Sequence, residues 1–135
     1  MGVSIGEGFG QETVLNDVRE SLRRFLWPLQ GGGILGNGWA LGATVREREI
    51  EVAIARVAGV IGVRGVKLFA RAGDEWRRIP STSGNAELAL ERWQLPELLS
   101  VVALADQDAP DTLAGIPNPF ADAGIAVPIV ADLCR

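Results

Sequence analysis

Residues 27–42 read WPLQGGGILGNGWALG, a glycine-rich segment that lies between two stretches of helical periodicity. Pro28 disfavours a helical residue before it, and glycines accept backbone angles that other residues avoid. The segment therefore ends one helix and predicts a tight turn before the next. Trp27 and Trp39 carry large rings that need close-fitting neighbours, which favours core packing. Trp39, flanked by glycines, is also a candidate interface anchor, because tryptophan is enriched among binding hot spots.

An amphipathic pattern precedes this segment and begins at Gln11. Its apolar residues recur at the three- and four-residue steps of a helix, at Val14, Val18, Leu22, Phe25, Leu26 and Leu29. After the segment, Thr44 and Glu47 have the spacing of a capping box, and Gly59 is a typical C-terminal stop. The second helix between them is expected to bury Ile50, Ala53, Ile54 and Val57.

Strand patterns follow the second helix. Residues 63–71 alternate loosely and predict a strand, with 72–74 as a turn and 75–79 as its antiparallel partner. Two further short strands are predicted at 87–90 and 99–104, on either side of a Trp-Gln-Leu-Pro segment. The sequence thus predicts an α+β fold, in which two N-terminal helices joined by a glycine-rich loop pack on a small, mainly antiparallel sheet.

The two ends of the chain differ from this central domain, which is expected to span residues 11–106. Residues 1–10 contain four glycines and no usable period, which predicts a flexible lead-in. Residues 107–135 are expected to form an extended arm, because proline blocks helix interiors and central strands, and prolines stand at Pro110, Pro117, Pro119 and Pro128. The end of this arm is too apolar for a segment that stays in solvent. It is expected to dock on a partner through Ile125, Val127, Pro128, Ile129 and Val130.

Composition excludes several classes of function. The 135 residues are 47% hydrophobic and 22% charged, with a net charge of −4, which suits one soluble domain with little attraction to nucleic acid or anionic lipid. The chain has no histidine, and Cys134 is its one cysteine, so histidine-based triads and thiolate zinc sites cannot form within it. No export signal and no run of about twenty apolar residues is visible. We therefore expect protein partners, a cytoplasmic location, and no cofactor, metal or membrane anchor.

Three catalytic or ligand-binding interpretations compete with an architectural one. Glycine-rich turns before helices also bind phosphate, but a P-loop would place Gly-Lys-Ser or Gly-Lys-Thr there, and a dinucleotide fold would place a strand before the turn. Carboxylate pairs for hydrolysis are available in many combinations, yet none is distinguished by its spacing. Cys134 beside Arg135 is a candidate reactive thiol, although burial as a small hydrophobe is the simpler interpretation. We expect no catalytic residue.

Five motifs occur in an order that resembles a known family. They are LWPLQGGG at 26–33, GNGWALG at 36–42, AGVIGVRGVKLF at 58–69, LERWQLPELLSVV at 90–102 and IAVPIVADLC at 125–134. In this order they resemble the C-terminal region of baseplate J-like proteins, the baseplate assembly (wedge) proteins of contractile phage tails and related injection systems. The turn motifs of that family are matched by Pro28, Leu29, Gly31, Gly32, Gly38, Trp39 and Gly42. Ala40 and Leu41 depart from it, since family members often carry a proline and an aromatic residue there.

The resemblance implies a structural role. Wedge proteins associate with one another and with hub or sheath-proximal proteins, usually as a sixfold ring, and the family has no catalytic residue to transfer. It implies a cytoplasmic location during assembly, then the baseplate, and a chain that is part of a longer protein. The expected interface and structural residues are Trp27, Pro28, Gly31, Gly32, Gly38, Trp39, Gly42, Ile125, Val127, Pro128 and Ile129. The alternatives are a cell-wall glycan-binding or hydrolase module of the same particle, and a free-standing regulator with a protein partner.

Overall fold

The computed structural model describes residues 1–72, 74–83 and 85–113. This part of the chain has an α+β fold, as predicted, with two helices and eight short strands. In chain order the elements are β1 (Gly2–Ile5), α1 (Gln11–Phe25), β2 (Val45–Arg46), α2 (Glu47–Ala55), β3 (Val60–Val63), β4 (Phe69–Ala72), β5 (Glu75–Arg78), β6 (Ser81–Thr82), β7 (Asn85–Leu88) and β8 (Leu104–Ala105). None of these helices is both long and apolar enough to cross a membrane.

Helix α1 follows the predicted pattern except at Leu29, the last residue of that pattern, which lies beyond the helix and is 63% exposed. It begins at Gln11, and its stripe of Val14, Val18 and Leu22 is buried. Arginines in the last turn face the negative end of the helix dipole, which stabilises the terminus. The helix ends at Phe25, just before the glycine-rich segment.

Helix α2 begins later and ends earlier than predicted. The expected capping box of Thr44 and Glu47 is wrong, because Val45 and Arg46 are extended and pair with β7. The Glu47 carboxylate instead accepts a hydrogen bond of 2.8 Å from the backbone N–H of Ala86 on β7. It is 8% exposed and ties the start of the helix to the neighbouring sheet.

The predicted flexible lead-in is also wrong for its first half. Residues of β1 form the middle strand of a sheet with the order β3-β1-β8. The strand is antiparallel to β3, with Val3 opposite Val63, and parallel to β8, with Gly2 opposite Leu104. Val3 is fully buried. Both partner strands lie far along the chain, so no local period in the first ten residues indicates this pairing.

The remaining strands form two further sheets rather than one. The predicted hairpin is present, with β4 antiparallel to β5 from Phe69 opposite Arg78 to Ala72 opposite Glu75. The predicted strand 63–71 is shorter, because its first part belongs to β3 or to no strand. Of the predicted strands 87–90 and 99–104, the first overlaps β7 and the second only reaches β8. The third sheet has the order β2-β7-β6.

The core lies between the two helices and the sheet that contains β1. Its buried members come from almost every part of the described chain and are Val3, Val14, Val18, Leu22, Leu26, Trp39, Val45, Ile50, Ala53, Ile54, Val66 and Val101. Beyond β8 the described chain turns back over the hairpin. The Lys67 ammonium donates to the Asp111 carboxylate at 2.8 Å, and the Arg78 guanidinium donates to the same oxygen at 2.7 Å. Most of the predicted arm, including Ile125, Val127, Pro128 and Ile129, lies outside the described residues.

Candidate interaction surface

The glycine-rich segment is held together by its own backbone. The Trp39 N–H donates to the Trp27 carbonyl at 2.9 Å, which joins the two ends of the segment. The Gly33 N–H donates to the carbonyl of Phe25 at 2.7 Å, and the Gly38 N–H donates to the carbonyl of Gly32 at 2.9 Å. These bonds give protein partners to backbone groups near the end of α1 that would otherwise bond to water. The segment is therefore a built turn, fixed to the end of α1.

Two glycines are required by the close approach of this backbone. A Cβ on Gly32 would lie 1.9 Å from the Trp27 carbonyl oxygen. Gly38 has a φ of +100°, and a Cβ there would lie 2.4 Å from the Pro28 carbonyl oxygen. No larger residue fits either position without moving the turn. Both positions were predicted as structural from the sequence.

The two tryptophans of the segment have different surroundings. Trp39 is 6% exposed and meets Phe25 edge to face, with ring centroids 5.4 Å apart and an interplanar angle of 73°. Trp27 is 53% exposed, so the expected close packing of its ring is wrong. The backbone of Trp27 is used instead, since its carbonyl receives the Trp39 N–H. Core packing was thus correct for Trp39 alone.

Large apolar side chains project from this segment into water. Leu35 is 84% exposed, and others more than half exposed are Trp27, Leu29, Ile34 and Leu41. The end of the segment is fixed to residues 92–94, because the Gly42 N–H donates to the Gln94 carbonyl at 2.9 Å. Trp93, also mostly exposed, lies in that stretch. We call Trp27, Leu29, Ile34, Leu35, Leu41 and Trp93 the apolar loop surface.

The residues predicted from the sequence in this segment were Trp27, Pro28, Gly31, Gly32, Gly38, Trp39 and Gly42. Ile34, Leu35, Leu41 and Trp93 were not among them. The signal was present, since Ile34 and Leu35 stand in a turn otherwise made of glycine and asparagine. Turn positions usually carry small or polar residues. An exposed apolar pair is therefore unusual at these positions.

A separate apolar cavity of about 150 Å³ lies between α1 and the β4–β5 hairpin. Met1 and Lys67 form part of its wall. Burial, and then the positive charge of Lys67, lower the pKa of the Met1 amino group to about 6. That group donates to the Val102 carbonyl at 2.8 Å. Both cationic groups are already bonded within the chain, so the cavity offers mainly apolar contact.

No metal centre is formed among the residues that the structure describes, where no three histidine, cysteine, aspartate or glutamate side chains come together.

The hydrogen bond from Lys67, followed by the charges of Lys67 and Arg78, lowers the pKa of Asp111. This carboxylate therefore stays ionised and acts as a link between loops.

The fold and this surface together define a small α+β domain that presents a preformed apolar loop. Comparison of the chain with protein-family models, with curated proteins and with solved structures finds no match.

Proposed function

We propose that this chain is a structural component of a baseplate wedge, which mediates subunit assembly in a contractile phage tail or a contractile injection system. The observation that carries the proposal is the apolar loop surface, together with the resemblance of the turn motifs that build it. Its partners are other wedge subunits and hub or sheath-proximal proteins, in a sixfold arrangement.

The energetics of the loop support a binding role. A flexible loop would lose conformational freedom on binding, and that loss opposes association. Here the backbone hydrogen bonds of residues 27–42 have already fixed the turn. The exposed side chains contribute little to the stability of the chain itself, whereas burial of each large one against a partner is worth roughly 1.5–3 kcal/mol. Large apolar side chains that are held in place before binding are suited to act as interface anchors.

The C-terminal arm is the second part of the proposal. We infer that it extends from the domain and docks on a neighbouring subunit through Ile125, Val127, Pro128 and Ile129. The support is its composition, which combines prolines that prevent helices with apolar residues that favour burial. Co-purification of chains that lack residues 107–135 tests this part separately, since an intact complex would remove the arm from the account.

Particle incorporation tests the proposal as a whole. Tail or tail-like particles from the native producer are purified, and the chain is quantified by mass spectrometry relative to the sheath protein. We expect the chain to co-purify, and Leu35→Ser with Leu41→Ser to reduce its incorporation by about tenfold or more. The matched control is Ile61→Ser, which removes an apolar side chain that is 73% exposed on β3. Particles without the chain, or equal losses in both variants, would contradict the proposal.

The rival function is tested with the isolated chain and insoluble peptidoglycan. A glycan-binding module would sediment with insoluble peptidoglycan through its exposed tryptophans, Trp27 and Trp93, and a hydrolase would release soluble fragments. We expect neither signal. Tryptophan-dependent sedimentation of the isolated chain would favour the glycan-binding alternative instead.

A further inference from the structure

A groove of about 360 Å³ lies between the last turns of α1, the glycine-rich segment and the exposed face of α2. Its lining includes three large apolar residues, Phe25, Ile34 and Val52. Val52 is 46% exposed and Ile34 is 57% exposed, although both are large and apolar. The groove therefore has a floor that can still bury apolar surface.

The rim of the groove is positively charged. It carries Arg24 from α1, Arg48 from α2, and Arg56, which directly follows α2 and keeps a helical backbone conformation. None of these three guanidinium groups has an ion pair among the residues that the structure describes. The carboxylate of Glu49, which also lines the groove, is paired with Arg46 at 3.3 Å. Within a chain of net charge −4, this is a local excess of positive charge.

The spacing of the rim and floor residues on α2 suits a helical ligand. Arg48, Val52 and Arg56 stand four residues apart, so they lie on successive turns of one face. From the first to the last is roughly 12 Å, which is about two turns of a helix laid alongside. Side chains at such steps form the ridges and grooves by which helices pack.

We propose that this groove binds an acidic amphipathic helix of a partner protein. The apolar face of that helix lies on Val52, Ile34 and Phe25, and its flanking carboxylates pair with the arginines of the rim. The inference rests on the proposed function only in that the chain works by binding proteins. It assigns a second surface with different chemistry, which adjoins the apolar loop surface and shares Ile34 with it. The apolar loop surface makes contacts by burial alone, whereas the groove selects its partner by charge.

Nucleic acid is a poorer fit to the same groove. A phosphate backbone would pair with the arginines, but it would leave the apolar floor uncovered, and the overall charge of −4 repels it. An amphipathic helix uses the floor and the rim together.

Fluorescence anisotropy with defined probes tests the proposal. The main probe is a fluorescein-labelled, hydrocarbon-stapled 14-residue peptide with leucines at positions i and i+4 and glutamates on both flanks. A second peptide has the same composition with the leucines on opposite faces, a third has lysine in place of glutamate, and a fourth probe is a single-stranded 15-nucleotide DNA. Binding is measured at low salt and at high salt.

We expect the first peptide to bind at least tenfold more tightly than the other three probes, with affinity falling at high salt. The double variant R48E/R56E weakens its binding by about tenfold or more, because two attractions become repulsions. Val52→Gln weakens it through the floor without a change of charge. The matched control is Arg77→Glu, an exposed arginine on β5 away from the groove, which leaves binding unchanged.

Equal binding of the two peptide registers, tighter arginine-dependent binding of the DNA, or equal effects of R77E and R48E/R56E would each overturn the proposal. Circular dichroism of each variant establishes that it is folded. The two surfaces are separable, because Leu35→Ser acts on particle incorporation and leaves peptide binding intact. If the native chain fails to bind the first peptide but is incorporated normally into particles, the groove proposal alone is overturned. If it binds the peptide but is absent from particles, the proposed function alone is overturned.

Discussion

The substitution Gly32→Ala tests whether the glycine-rich segment is a built turn. Gly32 does not have a left-handed φ, so the effect of alanine there comes from contact alone. The new Cβ would lie 1.9 Å from the Trp27 carbonyl oxygen, and the backbones must separate by more than about 1 Å to reach van der Waals distance. Both atoms in conflict are fixed to the main chain, so no side-chain rotation relieves them.

The expected cost follows from the contacts that this movement breaks. The hydrogen bonds from Trp39 to Trp27 and from Gly33 to Phe25 contribute about 1 kcal/mol each. The edge-to-face contact of Trp39 with Phe25 contributes about 1 kcal/mol more. We therefore expect the free energy of unfolding to fall by about 3 kcal/mol, which lowers the Tm by roughly 10 °C.

Urea unfolding followed by tryptophan fluorescence measures this loss, and near-ultraviolet circular dichroism reports on the packing of Trp39. The matched control is Gly62→Ala, because a Cβ there meets only Ser4 side-chain atoms at 3.7 Å or more. It should change stability by less than about 1 kcal/mol. Gly36 has a left-handed φ of +75°, and a Cβ there would meet no atom within 4 Å. Gly36→Ala therefore measures the backbone strain alone and should cost about 1–2 kcal/mol. A Gly32→Ala midpoint equal to that of Gly62→Ala would refute the built turn.

Three further predictions concern charged groups. Glu47→Ala should cost about 2 kcal/mol in urea unfolding, since it strips a buried backbone amide of its acceptor, whereas Glu51→Ala on the same helix should be nearly neutral. The pKa of Asp111 lies below 3.8. The ionised carboxylate therefore stabilises the fold at neutral pH, and this stabilisation is lost as pH falls through the lowered pKa. NMR of the Asp111 carboxyl carbon should show this lowered pKa, and in Lys67→Met the pKa should rise toward 3.8. The pKa of the Met1 amino group is about 6 in the folded chain and 8.0 in the unfolded chain. Between these two pH values unfolding takes up a proton, so the free energy of unfolding rises with pH. Urea unfolding should show an increase of about 2–3 kcal/mol across that window, absent after N-terminal acetylation.

The parts of the fold that could be predicted from the sequence are those set by neighbours along the chain. In α1 the spacing of Val14, Val18 and Leu22 both predicts the helix and names its buried face. The β4–β5 hairpin could be predicted for the same reason, because its strands are joined by a short turn. Local patterns carry this information directly.

The features that escaped prediction depend on distant partners. Thr44 and Glu47 have the spacing of a cap, yet Glu47 bonds to Ala86 because β7 pairs with the residues just before α2. Trp27 has the large apolar ring typical of a core residue, but it is 53% exposed among the residues that the structure describes. In each case the residue type was informative, whereas its partner was a property of the tertiary fold.

The position of β1 in the middle of its sheet has a consequence for folding. The strand is synthesised before both of its partners, and β3 can pair with it early, but β8 ends at Ala105. At the roughly 5–20 residues per second of synthesis, about 100 residues separate the two by some 5–20 seconds. Parallel pairing across such a separation closes slowly even in the finished chain. One edge of β1 therefore stays unpaired until β8 has been synthesised, and this sheet is completed only after β1 has had time to pair with β3.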